Sequence, residues 1–161
     1  MLLEGWAGAA VAQRDADWIE ALLMNLLRES AAVGMSQLIR ALPCSRQEAF
    51  VLGILNQNPS LESDQPAHWF LPSCEHTWGD ELSRAVLNSV YKHVKDKDIK
   101  TPWKWSELLQ TIACRLSPAR IPEALSRLTK SVPDGPGVTE EIEKFLTLLQ
   151  FRRGMLKEIA E

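Results

Sequence analysis

Apolar side chains recur along this chain with the period of a helix, and no segment alternates with period two over a useful length. Ile19, Leu22, Leu23, Leu26 and Leu27 fall at i, i+3, i+4, i+7 and i+8, which draws one apolar stripe along a helix. Leu82, Ala85, Val86, Ser89, Val90, His93 and Val94 repeat that spacing, as do Leu108, Leu109, Ile112, Ala113 and Leu116. Ile121, Ala124, Leu125 and Leu128 follow, then Ile142, Phe145, Leu146, Leu149, Leu156 and Ile159. An all-α fold is expected, and no strand is needed.

The breaks between stripes are written in capping chemistry. Ser45-Arg46-Gln47-Glu48 reads as a capping box, in which Ser45 accepts the Glu48 amide and Glu48 reaches back. Thr77-Trp78-Gly79-Asp80 repeats the logic with a shorter acid. Thr101-Pro102 and Ser117-Pro118 each set a cap before a proline at the first helical position. Thr139 precedes Glu140 and Glu141, acids that a helix start favours. Asn58-Pro59-Ser60 and Pro133-Asp134-Gly135-Pro136-Gly137 interrupt any helix. Eight helices are therefore expected, at 2–13, 16–30, 35–42, 46–57, 79–95, 103–116, 119–130 and 139–160. Residues 58–78 are expected to be an irregular connection with a short turn at Ala67–Leu71, joining the halves 1–57 and 79–161 of a single domain.

Taken in consecutive pairs, these helices make four αα-hairpins repeating at about 40 residues, the period of HEAT-like solenoids. The internal echo is short: Trp78 precedes Glu81-Leu82, and Trp105 precedes Glu107-Leu108. An irregular helical bundle would give the same succession of pairs.

Composition narrows the class. With 161 residues, 45% of them hydrophobic and 24% charged, the chain is long and apolar enough for one ordinary core. Glu4 follows Met1-Leu2-Leu3 at once, so no signal peptide is read, and no window approaches the roughly 20 apolar residues of a bilayer span. Cys44, Cys74 and Cys114 are odd in number and far apart. Reduced, mostly buried thiols in a cytoplasmic protein are expected. The net charge of −3 hides an asymmetry, since residues 1–80 carry −6 and residues 81–161 carry +3. That polarity can orient a partner.

Several stretches resemble a known family. Trp6-Ala7 through Gln13-Arg14-Asp15-Ala16-Asp17-Trp18, Trp78 leading into Glu81-Leu82-Ser83-Arg84-Ala85-Val86-Leu87, and Phe151-Arg152-Arg153 are similar to the C-terminal part of an uncharacterised bacterial family of long, helical, HEAT-like proteins. Genes of that family often lie beside those of MoxR-type ATPases and SWIM-type zinc-finger proteins. The resemblance spans most of this chain and only part of a family member, which implies a piece of a longer protein or a short paralogue. It implies an architecture and a partner, a MoxR-type ATPase system, and carries over no catalytic residue.

Reactive constellations are sparse. His68 with Cys74-Glu75-His76 is the best metal candidate, yet it offers three ligands at most where zinc wants four, and no C-x-x-C is present. Cys74 is read as a small buried hydrophobe, with both histidines lining a loop. Cys44 stands near a helix N-terminus, but nothing local brings His68, His76 or His93 to it. His93 lies on an apolar stripe, as a core histidine bonded to a backbone carbonyl. No phosphate-binding glycine loop occurs, because Pro136 removes an amide from Gly135-Pro136-Gly137. No enzyme activity, metal or cofactor is expected.

Binding features are richer. The run from Tyr91 to Trp105 carries Lys92, Lys95, Lys97, Lys100 and Lys104 with Trp103 and Trp105, and Asp96 and Asp98 reduce its charge to +3. Lysines can neutralise phosphates and indoles can stack on unpaired bases, which makes a single-stranded nucleic-acid or RNA module the second reading. Lysines at a helix C-terminus are also favoured by the macrodipole. Of the six tryptophans, Trp6 and Trp18 are expected to pack across the first hairpin, while Trp69, with Phe70, and Trp103, with Trp105, are the candidate anchors for a protein partner. The leading expectation is a non-catalytic helical-repeat interaction module whose contact region is the 58–78 segment plus the Trp103–Trp105 turn.

Overall fold

The helical stripes close on one another as helices and short 3-10 turns in a computed structural model, which describes residues 13–28, 34–96, 102–131 and 138–160. The helices are α1 (Gln13–Arg28), α2 (Met35–Ala41), α3 (Cys44–Gln57), α4 (Pro66–Phe70), α5 (Asp80–Asp96), α6 (Ser106–Arg115), α7 (Ile121–Ser131) and α8 (Val138–Ala160). Short 3-10 turns at Leu71–Ser73, Pro102–Trp105 and Pro118–Arg120 lead out of α4 and into α6 and α7. No strand occurs among the described residues. The fold is all-α. Residues 2–12 of the expected helix 2–13, with Trp6, and the Thr101 cap, the Thr139 side chain, Lys97 and Lys100 lie outside the described residues, while Gln13 opens α1.

The expected caps form differently. α3 begins two residues early because the Pro43 carbonyl accepts the Arg46 and Gln47 amides, both at 2.9 Å, and Ser45 caps nothing. Glu48 is thereby released from the capping box and reaches across to α5. Its Oε1 accepts the Gly79 amide at 2.8 Å, and its Oε2 accepts His76 Nε2–H at 2.9 Å. A Cβ on Gly79 would lie 3.1 Å from that Oε1, so the close approach favours glycine. Asp80 likewise turns away from its own helix and takes the Arg120 guanidinium on both oxygens, at 2.6 and 2.8 Å. Ser117 leaves the 3-10 turn uncapped by its side chain, and its amide donates to Ser83 Oγ at 2.9 Å. Gly34 enters α2 with φ 84°, the left-handed region, and its carbonyl accepts the Leu38 amide.

These cross-links set the packing. Arg46 near the start of α3 binds Asp17 and Glu20 near the start of α1, at 2.7 and 2.8 Å. Glu48 ties the start of α3 to the start of α5, and further along Leu55 and Asn56 face Ala85, Asn88 and Ser89. Asp80 meets Arg120 at the start of α7, and further along Arg127 lies 4.1 Å over the Tyr91 ring. Helices α1, α3, α5 and α7 therefore run side by side in one direction. On the other side α4 and the 71–73 turn touch α2, the same turn touches α6, and α6 packs on α8. The rows meet where α1 packs on α2, α3 on α4 and α7 on α8.

The 58–78 segment was expected to be a connection between halves. The short turn expected there is present, as α4 and the 71–73 turn, and the segment is also a packed part of the core. Leu61, Ala67, Phe70, Leu71, Cys74 and Trp78 are all buried, and a continuous cluster of buried side chains runs through them from Ile19 in α1 to Leu149 in α8. Because α4 packs on α3, pairing in the first part of the chain is shifted by one helix from the expected hairpins. The reason is that four apolar residues in Ala67–Leu71, too few to show a helical period, suffice once α3 offers them a surface.

Candidate functional site

The Leu61 peptide is the pivot of the region. Its amide donates to His93 Nε2 at 3.2 Å, and its carbonyl accepts His68 Nδ1–H at 2.9 Å. His93 Nε2 thus accepts from a backbone amide, which leaves Nε2 without a proton and puts one on Nδ1 in the neutral ring. The His93 ring stands edge-on to Trp105, with centroids 4.8 Å apart. The next residue completes the link, since Glu62 Oε2 accepts Trp105 Nε1–H at 3.1 Å. One residue on, the Ser63 carbonyl accepts Trp69 Nε1–H at 2.9 Å. Local bonds along 61–63 therefore join the two regions singled out in the sequence, 58–78 and Trp103–Trp105, into one neighbourhood.

The four aromatic candidates divide sharply in exposure. Trp103 is 69% exposed and Trp69 36%, while Phe70 and Trp105 are each 1% exposed. Phe70 packs edge-on against Phe50 at 5.7 Å and Trp105 belongs to the core, so neither is available to a partner. Trp69 and Trp103 remain. The Trp69 N–H is already satisfied by Ser63, so the part of its ring in solvent offers chiefly an apolar face. Lys92, Lys95 and Lys104 are exposed around this neighbourhood, and so are Asp64, Asp96 and Glu107. Charges of both signs interleaved with indoles suit a protein contact better than a uniform phosphate track.

The residues of the metal candidate are each engaged elsewhere. His68 holds Leu61, His76 pairs with Glu48, and Cys74 lies in the core, where its carbonyl accepts Trp78 Nε1–H at 3.0 Å. Burial, then the nearby Glu48 carboxylate, pushes the Cys74 thiol up to about 12. No group of three or more His, Cys, Asp or Glu side chains among the described residues is arranged to hold a metal ion. Cys44 and Cys114 are exposed, against the expectation of mostly buried thiols, because each falls on the outer side of its helix. No hydrogen bond joins Cys44 to a histidine among the described residues, although Glu48, which holds His76, stands one turn further along α3.

Two further features escaped sequence reasoning. Arg46 clamps α1 to α3, and its guanidinium is raised above its ordinary value by hydrogen bonds first to Glu20 and then to Asp17. Beyond that clamp the two helices part, and an open groove of about 400 Å³ lies between them, lined by Ala21, Met24, Leu27, Phe50 and Gly53 among others. Neither has a sequence signal, since the partners are separated by more than 25 residues and belong to different stripes.

Residues 1–159 match the model of a family described as a family of unknown function (DUF5691). No curated protein and no solved structure matches the chain.

Proposed function

We propose that this chain, which belongs to the DUF5691 family of unknown function, is a non-catalytic helical-repeat module that binds another protein through the surface carrying Trp69 and Trp103. The observation that carries the reading is the pairing of two solvent-facing indoles on segments locked together by the Glu62–Trp105 bond. Rigid aromatic anchors set on a packed scaffold lose little entropy on binding, which is why tryptophan dominates many contact energies.

The reading includes a HEAT-like stacking of hairpins. What supports it is the co-directional row of α1, α3, α5 and α7 backed by α2, α4, α6 and α8, because solenoids present extended surfaces made from successive helices. It also includes a bacterial, cytoplasmic setting with a MoxR-type ATPase system as partner, on the strength of the sequence resemblance. The free state of Cys44, Cys74 and Cys114 fits a reducing compartment.

A second reading, single-stranded nucleic-acid or RNA binding through Lys92, Lys95 and Lys104 beside Trp103, is favoured by the exposure of all four side chains. The acids interleaved with them weigh against it.

Affinity capture from the source organism, with the parent chain and a Trp69→Ala/Trp103→Ala variant compared quantitatively, tests the proposal. Selective loss of the same proteins from a variant with unchanged circular dichroism is the expected result. Unchanged capture of every partner overturns it. Binding to labelled single-stranded RNA that falls steeply between low and moderate salt would favour the second reading.

A further inference from the structure

We draw no further inference here: the strongest candidate, the apolar groove between α1 and α3 lined by Ala21, Met24, Leu27, Phe50 and Gly53, carries nothing because nothing in the structure shows what covers it.

Discussion

Trp103 and Trp105 are two residues apart in one short turn, yet one faces water and the other fills the core. Their substitutions should separate accordingly. Trp105→Ala removes a buried indole and its hydrogen bond to Glu62, an expected loss of about 3–5 kcal/mol in urea or guanidinium unfolding. Trp105→Phe keeps an aromatic ring but loses the hydrogen bond and part of the buried indole, for an intermediate cost of about 1–3 kcal/mol. Trp103→Ala should change stability by no more than about 0.5 kcal/mol, since exposed positions contribute little to folding. The cysteines divide in the same way. In the native protein, iodoacetamide at neutral pH should label Cys44 and Cys114, whereas Cys74, buried and with its thiol near 12, should label only after unfolding. Peptide mapping by mass spectrometry reads the three sites separately.

At the scale of the helix, the central device is Glu48, a side chain of α3 that serves the start of α5. The carboxylate meets an amide that α5 itself cannot satisfy, where the macrodipole favours negative charge. Glu48→Ala should therefore cost about 1–2 kcal/mol and raise hydrogen exchange first at Gly79. Equal exchange at Gly79 in parent and variant would remove the capping role. Asp80 and Arg120 do similar work between α5 and α7. The hydrogen bond to Arg120, then its charge, holds the Asp80 carboxyl below its ordinary value. A depressed acid contributes stability that is present above the unfolded-state value near 3.8 and is lost as pH falls through the folded one. Asp80→Asn should accordingly flatten the acid limb of stability against pH, modestly and less so in high salt, because both groups reach solvent.

Across the whole molecule, the buried cluster passes without a gap from α1 through the 61–78 segment to α8. Unfolding should then be a single cooperative transition, with far-ultraviolet circular dichroism and tryptophan fluorescence coinciding. Leu71→Ala, at the turn that touches both α2 and α6, should lower stability by about 2–5 kcal/mol and do so for both ends of the chain together. Two separate transitions, with only one of them shifted, would show that the halves fold independently.

Much of this was legible in the order of residues. Helix content, the positions of α5 and α8, the absence of strands among the described residues and the burial of His93 follow from apolar spacing, because a stripe at helical period can be buried in only one way. Local polar signals were less faithful. Ser45-Arg46-Gln47-Glu48 reads as a capping box, but Pro43 starts the helix earlier and Glu48 finds better donors at His76 and Gly79, 28 and 31 residues away. The 58–78 segment has too few periodic residues to announce its burial, which depends on surfaces supplied by α2, α3 and α6. Which indoles face water was decided there too. Trp69 and Trp103 stay outside and Phe70 and Trp105 go inside according to which long-range neighbours close over them, and spacing along the chain carries no record of that choice.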